Sequence, residues 1–173
     1  MYYTNGGIVV KRIVFFMIML IGIIAFVVSC KNEEKVLKTN INVYYVDAEL
    51  NRLLPYEKEI IDADSHCMAQ AAIELLAQGW DENEKIRRLI PKKSECISVK
   101  VRNDIAYVDI NPAIKEELPQ NRDIERMFLY QIVNTLTEIK GIRFVKFTLD
   151  GEIRKNFMGF FDMRETYKHK YPE

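Results

Sequence analysis

The sequence predicts an α+β domain: a small, mainly antiparallel sheet with two main helices on one face, in the order β-α-β-β-α-β. Three observations carry that prediction. From Asp123 onward, apolar side chains fall at Ile124, Phe128, Ile132, Leu136 and Ile139, with Leu129 and Val133 widening the stripe. This is the spacing of a helix with one face against a core. The period then drops to two, with Val145, Phe147 and Leu149 on one side and Phe144, Lys146 and Thr148 on the other, which is a half-covered strand. Ile97 to Val101 alternates in the same way, and Ile105 to Ile110 follows across Asn103-Asp104, a hairpin.

Taken in chain order, Ile41 to Asp47 reads as the first strand, rich in β-branched and aromatic residues. Tyr56 to Asp62 continues as a fainter extended piece. Asp64 or Ser65 caps the first helix, which turns Met68, Ala72, Leu75 and Leu76 inward and stops at Gly79; such a cap is worth ~1 kcal/mol. Trp80 to Arg88 reads as a short charged helix docked by Ile86, Leu89 and Ile90. Asn111-Pro112 opens a helical turn that runs to Glu117. Lys140-Gly141 stops the long helix, and Asp150-Gly151 turns the chain after the last strand.

The N-terminus predicts export. Lys11-Arg12 precede an apolar run, Ile13 to Val28, that ends in Val27-Val28-Ser29-Cys30. Sixteen residues fall short of the ~20 that span a bilayer comfortably, so a cleaved leader is favoured over an uncleaved membrane helix. Val-Val-Ser-Cys resembles the bacterial lipobox, which makes Cys30 the lipidation site and the new N-terminus. Two acyl chains at ~0.8 kcal/mol per buried methylene hold a protein stably on a membrane. The expected organisation is a signal peptide over 1–29, a polar tether over 30–39, the domain over 40–152 and a partly disordered extension over 153–173. In that extension Phe157, Phe160 and Phe161 are expected to cover the sheet's open face or edge, and the closing Lys-His-Lys-Tyr-Pro-Glu to be disordered.

Composition narrows the chemistry. Lys plus Arg and Asp plus Glu number 25 each, a balance that argues against nucleic-acid binding. After Gly6, Gly7 and Gly22 of the leader, the remaining glycines are scattered singly, so no phosphate cradle can be built. Cys67 and Cys96 can pair outside the membrane or serve as small apolar fillers; the filler role is favoured. His66 and His169 are the only imidazoles, and no second Cys/His pair completes a tetrahedral metal site. No cofactor is expected. Asp62 and Asp64 precede a helix, whose N-terminus favours negative charge, and this explains them better than a glycosidase acid pair. Tyr44, Tyr45, Tyr107 and Tyr130 read as ordinary sheet and helix packing. Asp109, mid-strand, is expected to accept backbone N–H groups from the following turn.

Gln131 to Gly151, QIVNTLTEIKGIRFVKFTLDG, resembles the C-terminal motif of the GerMN domain of sporulation and spore germination proteins. Thr135, Leu136, Thr137, Glu138, Gly141, Ile142, Val145, Phe147, Asp150 and Gly151 match it position by position. Val43 to Asp47, Leu54-Pro55, Ala72 to Gly79 and Ile90-Pro91 resemble further parts of the family pattern, and the family tends to keep an acid at the position of Asp109. The resemblance implies a domain similar to ring-building-motif domains, which the family's best-known members carry twice and which this sequence shows once, over about residues 40–152. With the leader and the lack of a catalytic constellation, it leads to the expectation of a non-catalytic, lipid-anchored protein on the outer face of the membrane, and the resemblance implies a Gram-positive type of cell. Such a protein would bind other envelope or sporulation proteins, as a homo-oligomer or within a larger complex. The alternative is an accessory or sensory lipoprotein that modulates one membrane partner.

Overall fold

The computed structural model describes residues 17, 37–49, 51–80, 84–92 and 96–170. The chain divides into two units between Val36 and Leu37; of the first only Met17 is described, so the leader and Cys30 lie outside the described residues. The second unit holds two three-stranded sheets rather than one, and its class is α+β as expected.

The first sheet is built on a long hairpin, β1 (Lys38–Asp47) and β2 (Arg52–Ile61). Thr39 and Lys38 thus lie in a strand, not in the tether. Pro55 is tolerated in β2 because β2 is an edge strand. From Val43 to Asp47, β1 is buried without alternation, since both of its faces are covered. The charged helix expected between Trp80 and Arg88 is not found among the described residues: Glu84-Lys85 form a turn, and β3 (Ile86–Arg87) pairs with Val46 and Asp47 of β1. Pairing satisfies donors and acceptors at the end of the β1 edge, a need that outweighs local helix propensity.

The second sheet has the order β4 (Ile97–Arg102), β5 (Ile105–Ile110) and β6 (Phe144–Leu149). β4 and β5 form the expected hairpin, with Asn103 at φ 56°. β5 and β6 run parallel, because a helical crossover joins them. That crossover contains the short α2 (Ile114–Glu117) and the long α3 (Arg122–Thr137).

Both long helices are capped by oxygen side chains. In α1 (Ser65–Gln78), the Asp64 carboxylate accepts from the backbone N–H groups of His66 and Cys67 at 2.9 and 3.0 Å. In α3, Asn121 Oδ1 accepts from Ile124 N at 2.9 Å. α1 packs mainly on β4 and α3 mainly on β1. All seven residues of the α3 stripe, Ile124 to Ile139, are buried. The helix ends at Thr137, and Gly141 follows at φ +95° after a looser turn.

Residues 152–170 form no long element yet are tied down throughout. Tyr167 exchanges two backbone hydrogen bonds of 2.8 Å with Val145 and closes the free edge of β6. Phe157 stacks on Phe128 with centroids 5.2 Å apart, and Phe161 meets Tyr130 edge-on, so the rings expected over the sheet's face or edge pack on α3 instead. Phe160, expected as cover, is 49% exposed. Residues 168–170, expected to be disordered, are fastened to α3: Asn134 and Lys170 exchange bonds of 2.8 and 3.0 Å. Residues 171–173 lie outside the described residues.

Candidate functional site

The signature residues gather at the end of α3, where helix, β1 and tail meet. β3 pairs with only the last two residues of β1, so the rest of that edge would be left open. Thr135 closes it: its buried hydroxyl oxygen accepts from Tyr44 N at 2.9 Å. Thr137 donates to Val133 O at 2.8 Å and touches His169 Nδ1 at 3.2 Å. Glu138 accepts from the Tyr44 hydroxyl at 3.1 Å and from Asn42 Nδ2 at 3.2 Å. His169 stands edge-on to the Tyr44 ring. Leu136 is fully buried between these polar ties. The Thr-Leu-Thr-Glu run is therefore a knot that binds three segments distant in sequence.

A second knot holds the far end of β6. Asp109 Oδ1 accepts from the Thr148 hydroxyl at 2.6 Å and from Gly151 N at 2.7 Å. Thr148 is the cross-strand neighbour of Asp109. The turn it ties is Asp150-Gly151 after β6, not the turn that follows β5. Asp150 and Gly151 have φ of +48° and +76°, a left-handed pair that favours Gly at the second position.

Pattern reading missed Glu125. It is fully buried on α3, and its two oxygens accept from Met158 N at 3.1 Å and Phe160 N at 2.9 Å. It clasps the tail where Gly159 takes φ +112°. The sequence signal was an acid inside the apolar stripe, three and four residues before Phe128 and Leu129. Farther along the tail, hydrogen bonds from Arg164 hold the Asp162 carboxyl down at about 2.

The thiols are separate and free: Cys67 is exposed and Cys96 half-buried against the core. The hydrogen bond and charge of Asp64 push the Cys67 thiol up, which lowers its reactivity. His66 donates its backbone N–H to Asp64, and its ring Nδ1 is buried without a hydrogen bond. Among the described residues, no three His, Cys, Asp or Glu side chains gather to hold a metal. His169 does face a hydroxyl, but Thr137 already gives its proton to a helix carbonyl. Open clefts flank both knots among the described residues. One of about 440 Å³ lies beside Asp150, lined by Lys115, Arg154 and Lys155. The other, of about 480 Å³, follows the tail past Tyr130, Glu165 and His169.

Known proteins place this arrangement. No curated protein matches the chain. A solved structure from Clostridium perfringens, named as a candidate lipoprotein, superposes with a TM-score of 0.54 at 20% identity, over 76% of this chain and 87% of that one. The tandem GerMN domains of the sporulation protein GerM from Bacillus subtilis match at 19% identity and TM-score 0.55, over 73% of this chain and 44% of that one. The first GerMN domain of the same protein matches at 18% and 0.52, over 72% and 92%. These likenesses establish the fold. The profile of the Germane family, sporulation and spore germination, matches residues 42–155, from β1 to just past the Asp109 knot. The chain belongs to the Germane family.

Proposed function

We propose that the chain is a non-catalytic, lipid-anchored envelope protein that serves as a protein-binding or assembly module in sporulation or spore germination. The observation that carries this reading is the use made of the signature residues. Thr135, Thr137, Glu138, Asp109 and Gly151 all spend their polar groups on ties within the fold. What the family pattern preserves here is a shape, and a shape serves recognition. The anchor is assigned to Cys30, and the likeness to a Clostridium perfringens protein named as a candidate lipoprotein supports it. In this reading the membrane-held domain associates with a second copy or with other envelope proteins.

The test is crosslinking and pull-down of the tagged, membrane-held chain from growing and sporulating cells. Self-crosslinks or several envelope proteins appearing only in sporulation support assembly. A single receptor-like partner in growing cells favours the accessory lipoprotein instead. Metabolic labelling with a fatty acid, abolished by Cys30→Ala, checks the anchor separately.

A further inference from the structure

We propose that the outer face of the β4-β5-β6 sheet is a docking surface for an anionic glycan of the cell wall, a role that rests on the extracytoplasmic placement proposed above. The sheet buries Val99, Val108, Val145 and Phe147 on its inner face. On the outer face the register sets Lys100, Tyr107 and Lys146 side by side in one row across the three strands. With neighbouring strands ~4.8 Å apart, the two lysines flank the ring at a separation of roughly 10 Å. The next row is Arg102, Ile105 and Phe144. Tyr107 is 37% exposed, and Lys100 and Arg102 are exposed too.

Of the two acids in this region one is ion-paired, while the other, Asp109 in the row beyond Tyr107, is hydrogen-bonded by neutral groups and partly offsets the cations. Asp104 pairs with Arg143 at 2.5 Å, and Asp109 is held by Thr148 and Gly151. Lys100, Arg102 and Lys146 have no ion-pair partner among the described residues. Three unpaired cations within two adjacent rows repel one another, and an anion laid across them relieves that repulsion. In a chain with equal numbers of acids and bases, this positive face is a local feature.

The form of the face selects the occupant. Ile105 and Phe144, its apolar members besides Tyr107, are half-buried, so the face offers little apolar surface to a bilayer core. One exposed aromatic is too little for a protein interface, which needs a cluster of buried anchors. A ring between cations suits an extended polymer whose sugar C–H groups lie on the π face while its acid groups meet the lysines.

The experiment is co-sedimentation of the full chain, in detergent micelles, with purified insoluble cell wall that retains its anionic polymers. Binding is expected to weaken on the order of tenfold between low salt and fourfold higher salt. Lys100→Glu with Lys146→Glu should weaken it at least as much, and Tyr107→Ala several-fold. Lys115→Glu makes the same kind of charge change in the cleft beside Asp150 and should leave binding intact. Loss with Lys115→Glu equal to that of the double variant, or no loss in either, overturns the proposal. Failure of the parent chain to bind, while protease added outside protoplasts still cleaves it, overturns the glycan and leaves the placement standing. Resistance to that protease in intact protoplasts, with cleavage after lysis, removes the placement and the proposal with it.

Discussion

Single residues here carry loads that no local pattern announces. Glu125 is a carboxylate with no exposure, and burying it is tolerable only because two backbone N–H groups face it. Glu125→Ala strands both donors and should cost about 3 kcal/mol. Hydrogen exchange at Met158 and Phe160 should rise together with the drop in melting temperature; loss of stability without faster exchange there would contradict the clasp. Glu125→Gln keeps one acceptor and should recover about half of the loss. The partners lie 33 and 35 residues away, so sequence showed only the conflict of an acid within an apolar stripe. Tyr45 offers a test by pH. Its hydroxyl donates to Leu75 O at 3.1 Å, and burial raises its pKa from 10.0 to about 12. The folded pKa exceeds the unfolded one, so the contribution is whole below pH 10 and is lost as pH climbs toward 12. Tyr45→Phe should flatten the fall in stability across that window, measured by denaturant titration; equal slopes would disprove the assignment.

At the scale of elements, the two glycines that follow the long helices do different work: Gly79 caps α1, while Gly141 lies beyond the end of α3. Gly79 sits at φ +65°, and a Cβ there would meet Arg88 Nε at 2.7 Å. That guanidinium donates to Gln78 O at 2.9 Å and closes the last turn of α1. Gly141, at φ +95°, faces open space. Gly141→Ala should therefore cost only backbone strain, ~1 kcal/mol. Gly79→Ala adds the displaced arginine and should cost ~2 kcal/mol; thermal melts of the two variants check the order. The elements that were legible were those with a long, clean period. The α3 stripe, the β4-β5 hairpin and the alternation of β6 were all plain. β2 was faint, because Pro55 and the charged run Glu57-Lys58-Glu59 suit a solvent-facing edge strand and blur its alternation. β3 was illegible, since a two-residue strand has no period and exists only to fill an open edge. The two-sheet division was illegible for a related reason: nothing in a strand's own residues says which neighbour it will pair with.

For the whole molecule, the domain extends past its family pattern. The profile ends at residue 155, but Phe157, Met158, Met163 and Tyr167 are all buried. The aromatic tail was visible in the sequence as a cover; its anchors, Glu125 and Asn134 on α3 and Val145 on β6, were not, because each joins residues far apart. The candidate site was legible in the same measure: resemblance located the signature residues and the internal role of Asp109 was expected, but the ties of Thr135, Thr137 and Glu138 to β1 and the tail emerged only from the fold. A chain truncated after Lys155 should therefore lose more than a tail. It would bare Phe128 and the edge of β6, and it would remove both partners of Glu125. Losing the packing on Phe128, the two backbone bonds to Val145 and the Glu125 clasp together costs several kcal/mol, a large share of the ~5–15 kcal/mol that holds a domain folded. The truncated chain should bind a hydrophobic dye, associate on sizing columns and melt broadly. A chain ending at Lys170 keeps every described tie of the tail and should behave as the parent does. If the shorter chain instead stays monomeric and melts cooperatively within a few degrees of the parent, the domain ends where its family profile does, and the tail is an appendage rather than part of the core.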